Sequence, residues 1–89
     1  MTKKEKHQLI NRDFLTFVEE EMNDRYDIED NGEGGRVHLM PDGGESMDSI
    51  DYHLSRHTVD VFNNCSTQTS TDVETMEQKL DELVKQYEL

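Results

Sequence analysis

The sequence predicts an α+β domain with an N-terminal helix, a small antiparallel sheet and a C-terminal helix. Two amphipathic stretches with apolar spacings of three and four lie at the ends of the chain. Between them, short alternating apolar segments are separated by glycine-rich and polar turns. The length of 89 residues fits a single domain spanning 1–89.

Residues 3–24, KKEKHQLINRDFLTFVEEEMND, read as the first helix. Ile10, Phe14, Phe17, Val18 and Met22 fall on one face, and Leu9 and Leu15 widen it. Lysines stand at its start and glutamates at its end, against the helix dipole. Residues 1–6 read as a flexible basic arm. The sheet is expected within 26–62, with three strands, or four if YDI begins one. RVHLM (36–40) turns Val37 and Leu39 to one side. SIDYHL (49–54) alternates Ile50, Tyr52 and Leu54 with Asp51 and His53, although Met47, Ile50 and Leu54 also allow a helix. HTVDVF (57–62) alternates Val59 and Val61 with Asp60. PDGG (41–44) reads as a turn, because proline presets φ and glycine accepts positive φ. NNCSTQTS (63–70) reads as a polar linker. TDVE (71–74) has the form of a capping box opening the last helix. Along that helix Val73, Met76, Leu80, Leu83 and Tyr87 form a seam that serves either the core or a dimer.

Apolar residues make up 31% of the chain, with no Trp and no Ala, and such an inventory makes a lone core marginal. A homodimer is therefore expected. The one cysteine, Cys65, excludes an internal disulfide and a zinc site with two thiolates from one chain. No signal-peptide-like or membrane-spanning run is found, which points to a soluble protein of a reducing cytoplasm.

The stretch DIEDNGEGGRVHLMPDGGE (27–45) invites a calcium reading. With Asp27, Glu29 and Asn31 at positions 1, 3 and 5 of an EF-hand register, position 12 is His38, where a bidentate glutamate is needed. Hairpin turns explain the glycines better, and no metal site or cofactor is expected. His7, His38, His53 and His57 read as surface residues. Nucleophile motifs and phosphate-binding loops are absent, and carboxylate pairs such as Asp48 and Asp51 are too common here to single out as acid and base. The expectation is a protein that is not an enzyme.

What stands out is charge. The net charge is −12, and residues 13–89 carry 20 acidic against 5 basic groups. Such a field repels nucleic acid and attracts basic proteins. Carboxylates one helical turn apart rise ~5.4 Å, and two residues apart on a strand ~6.6 Å. Duplex DNA presents a charge every ~1.7 Å of axis. Candidate phosphate-mimicking groups are Glu19, Glu20, Asp24, Glu29, Asp30, Glu33, Asp42, Glu45, Asp48, Asp51 and Asp60.

With FVEEEMNDRYDIEDNGEGG and PDGGESMDSIDY, the chain resembles the small acidic host-takeover proteins of bacteriophages, in particular the DNA-mimic inhibitors of the nucleoid protein HU. The resemblance is one of size, charge and helix–sheet–helix layout. It implies a dimer in the host cytoplasm that occupies a basic, HU-like host protein and blocks its DNA binding, without itself binding DNA. The alternative expectation is a non-mimetic inhibitor or adaptor of a host enzyme, such as RNA polymerase or a protease, acting through an apolar patch of Tyr26, Met40 and Phe62.

Overall fold

The computed structural model describes residues 1–41, 49–62 and 67–89. Its elements are α1 (Lys3–Glu21), β1 (Tyr26–Asn31), a 3-10 turn (Gly32–Gly34), β2 (Arg36–Pro41), β3 (Ile50–His53), β4 (Thr58–Val61) and α2 (Thr67–Gln86). The four strands form one antiparallel sheet in the order β1-β2-β3-β4. The α+β class holds, YDI does begin a strand, and residues 50–53 are strand rather than helix. The PDGG turn beyond Pro41 and the NNCS half of the expected linker lie outside the described residues.

A Thr-x-x-Glu pattern that the sequence reading passed over starts α1. Thr2 is the N-cap, and its hydroxyl accepts from the Glu5 N–H at 3.1 Å. Lys3–Lys6, expected as an arm, are therefore the capped first turn of a helix, and the Lys6 ammonium donates to the Glu88 carbonyl at 3.4 Å. The helix stops at Glu21, three residues short of the expected end. The N–H groups of Arg25 and Tyr26 both return to the Met22 carbonyl, which turns the chain directly into β1.

The β1–β2 connection settles how the glycine-rich stretch folds. Asp27, Glu29 and Asn31 lie along a strand, with the 3-10 turn after them, so the stretch is a hairpin over its described residues, 27–41. Gly35 sits at φ 75°, in the left-handed region, and its N–H closes the turn onto the Gly32 carbonyl. A Cβ on Gly34 would come within 2.8 Å of the Asn31 side chain, whose oxygen holds the Gly34 N–H. These positions need glycine for the turn itself.

Alternation divides the sheet into two faces. Tyr26, Val37, Leu39, Ile50 and Tyr52 point to one side. There they pack with Ile10, Phe14, Val18 and Met22 of α1 and Val73, Met76, Leu80 and Leu83 of α2. Phe14 and Tyr52 meet ring to ring, with centroids 4.4 Å apart. The seam of α2 is thus core within a single chain, which is the first of its two expected roles. Tyr87, at its end, is half-buried and donates to the Asp13 carboxylate on α1. That bond is the main cause holding Asp13 below the usual carboxylate range.

The helix α2 starts at Thr67, a turn before the expected capping box, which corrects both the box and the end of the linker. Thr71 is helical, and its hydroxyl donates back to the Thr67 carbonyl at 3.0 Å. The reason lies at Asp72, which is buried. Its carboxylate accepts from Arg25 at 2.9 Å, from the Tyr26 hydroxyl at 2.7 Å and from Gln68 at 3.1 Å. Burial above all pushes the Tyr26 phenol up to about 12. This cluster fastens the start of α2 to the α1–β1 turn, and the turn before Asp72 contributes to it through Gln68, four residues back on the same helix. Asp72→Ala removes the carboxylate shared by the buried Tyr26 hydroxyl and the Arg25 guanidinium, leaving Arg25 with Asp24. It is expected to cost about 2–4 kcal/mol, read as a lowered urea midpoint with Asp72→Asn falling between.

No helix among the described residues is long and apolar enough to cross a membrane.

Candidate protein-binding surface

The candidate carboxylates separate into two groups. Glu19 and Glu20 end α1, Asp24 lies in the turn, Asp30 is on β1 and Glu33 is in the 3-10 turn. Together with Glu21 and Asp27, which the sequence reading left out, they flank the β1 edge of the sheet. Glu19, Asn23, Asp27, Ile28 and Asp30 line a groove along that edge. Residues 19–33 contain eight carboxylates, every one exposed, and a single cation, Arg25. Arg25 is taken up by Asp72 and by Asp24 at 3.2 Å. Edge strands expose unpaired main chain, and like charges along them keep copies from pairing. That role alone explains part of this ridge, but not the glutamates that finish α1 against its dipole.

The second group lies on the sheet face turned away from the helices. Register places Glu29, His38, Asp51 and Asp60 side by side in one row across all four strands. Asp51 and Asp60 are direct cross-strand partners, an arrangement that costs energy between like charges. Each is hydrogen-bonded by an imidazole: His38 Nδ1 to Asp51, and His53 Nε2 to Asp60 at 2.6 Å. Asp42, Glu45 and Asp48 lie outside the described residues.

A third acidic group escaped the sequence reading. Glu77 and Asp81 are four apart on α2 and line a groove with His57 and Asp60. Their helical spacing was visible, but not that β4 lies alongside.

The histidines, expected at the surface, are half-buried, and each has a side-chain partner. His7 on α1 meets His57 at 2.6 Å, and His57 Nδ1 meets the Tyr52 hydroxyl at 2.8 Å. That hydroxyl donates to the Asn11 carbonyl oxygen at 2.6 Å, and the Asn11 amide donates to the Leu54 carbonyl. Because the Tyr52 proton is committed to Asn11, His57 donates from Nδ1, and one proton is shared between His57 Nε2 and His7 Nδ1. Burial, then the neighbouring His7, lowers the His57 pKa. Folded His57 therefore binds fewer protons than unfolded His57 below the ordinary value of 6.5. Its contribution to stability is whole above pH 6.5 and is lost as pH falls toward the folded pKa. Thermal unfolding followed from pH 7.5 to 5 is expected to show this loss. His57→Asn, which tolerates the residue's φ of 52°, is expected to flatten it.

Among the described residues no group of three or more His, Cys, Asp or Glu could hold a metal ion. The surface offers charge and hydrogen-bond acceptors. No family model, characterised protein or solved structure is significantly similar to the chain.

Proposed function

We propose that this protein is a DNA mimic that binds a basic host DNA-binding protein, of the HU-like nucleoid-associated class, and blocks its access to DNA. One observation carries the reading. The eight exposed carboxylates of residues 19–33 have almost no compensating cation. That number matches the roughly 6–10 phosphates that a DNA-binding protein commonly contacts. The body measures 43 × 25 × 21 Å, so its long axis spans a little more than one duplex turn of ~34–36 Å. In this reading the protein acts in the cytoplasm of a host cell, performs no catalysis and does not bind nucleic acid. It is tested by displacement of labelled duplex from an HU-like protein.

The apolar alternative, an inhibitor or adaptor that grips a host enzyme, keeps one supporting observation. Met40 and Phe62 are 48% and 59% exposed. Tyr26, the third member of that expected patch, is buried against Asp72 and is unavailable. A homodimer, also expected, would need a surface other than the α2 seam, which the chain's own core occupies.

A further inference from the structure

The sheet face turned away from the helices has no described element over it, and it is not evenly charged. One row across the strands reads Asp27, Met40, Ser49 and Phe62, and the next reads Glu29, His38, Asp51 and Asp60. Met40 and Phe62 stand two strands apart, about 10 Å, with only the Ser49 side chain between them. The pair, 48% and 59% exposed, therefore presents apolar surface on either side of Ser49. Carboxylates border it: Asp27 in its own row, and Glu29, Asp51 and Asp60 in the row beside it. Among the described strand residues of this face the one formal cation is Arg36, in the third row.

We propose that this face docks a basic protein segment carrying a large aliphatic or aromatic side chain among its lysines and arginines. The apolar group seats between Met40 and Phe62, and the cations meet Asp27, Glu29, Asp51 and Asp60. The proposal deepens the functional reading above and rests on it, since it names the surface and the chemistry of the basic partner.

Charge complementarity selects this occupant. A second copy would bring the same carboxylates against themselves, and nucleic acid would be repelled outright. A purely basic segment would leave the apolar surface wet. Linear charge density gives an independent reason for an apolar anchor. A duplex as long as this molecule's 43 Å axis carries about 25 charges, roughly twice the chain's net 12. With half the linear charge, an apolar anchor would add to the attraction that the carboxylates supply. Carboxylates steer the encounter, and a desolvated anchor slows dissociation.

The test uses the full-length chain, isotopically labelled for NMR, and two peptides of equal length and charge, one alternating Lys and Leu, the other Lys and Ser. The Lys–Leu peptide is expected to bind about tenfold more tightly or better. Its shifts should concentrate at Met40, Phe62, Glu29 and Asp51. Phe62→Ser and Met40→Ser, each at an exposed site that leaves the fold intact, should remove most of that advantage. Neither should change the affinity for the Lys–Ser peptide. Equal affinities for the two peptides, or shifts confined to the α1–β1 ridge, would overturn this docking face and leave the basic-partner reading standing. Failure of both peptides to bind at low salt would overturn the basic-partner reading itself. Shifts at Met40 and Phe62 that grow with protein concentration alone would assign the face to a second copy and overturn the proposal.

Discussion

Leu83→Asp is expected to leave the chain unfolded at 25 °C. Leu83 is 2% exposed and belongs to a core of 13 buried apolar residues among those described. Truncating such a leucine costs about 2–5 kcal/mol, and the carboxylate adds the penalty of an unpaired buried charge. A chain of 89 residues has a total stability of roughly 4–13 kcal/mol, and so small a core argues for the lower end. Far-ultraviolet circular dichroism should show loss of the helical signal. Leu83→Met, which conserves volume, should retain it at a cost below about 1.5 kcal/mol. The same variant separates the two roles expected for the seam. A folded monomer produced by Leu83→Asp would mean that Leu83 serves an intersubunit contact, contrary to the packing described.

Residues that obey short-range rules were legible in the sequence. The α1 stripe, the alternation of Val37 with Leu39 and of Ile50 with Tyr52, and the α2 seam all follow from periodicity, and most of their residues are core, with Leu15, Phe17 and Tyr87 only partly buried against it. Where contact across the chain decides, the sequence misled. Thr71 and Glu74 fit a capping box, yet α2 extends back to Thr67, and Gln68 on that added turn joins the Asp72 cluster with Arg25 and Tyr26, some 46 residues earlier in the chain. No local pattern announces that meeting. The same holds for His7 and His57, which are 50 residues apart and joined only because α1 passes the β3–β4 turn. For the candidate surface, the sign of the charge was readable and its layout was not. Alternation alone could not show that Glu29, Asp51 and Asp60 share a row, because that depends on strand register.

Neutralising the end of α1 is expected to raise stability and weaken binding together. Glu19 and Glu20 lie in the last turn of a helix with no basic residue there, where carboxylates oppose the dipole. Gln retains the helix propensity of Glu, so Glu19→Gln and Glu20→Gln should each stabilise by about 0.3 kcal/mol or more. Adding Asp24→Asn removes a third exposed charge. If these groups stand in for phosphates, each loses about 0.2–1 kcal/mol of binding. The triple variant should then bind the basic partner roughly 3- to 150-fold more weakly. Opposite signs for stability and binding are the mark of charges placed for a partner. Carboxylates that merely keep the edge of the sheet from pairing would leave binding unchanged when removed.

Displacement of labelled duplex DNA from an HU-like protein at about 50 and 200 mM salt, with the wild-type chain and the Glu19, Glu20, Asp24 triple variant, decides whether these carboxylates stand in for phosphates. The predicted result is displacement at the lower salt, a steep loss at the higher, and a weaker competitor in the triple variant at both. Displacement indifferent to salt and to the three substitutions, or no displacement at either salt, would contradict it.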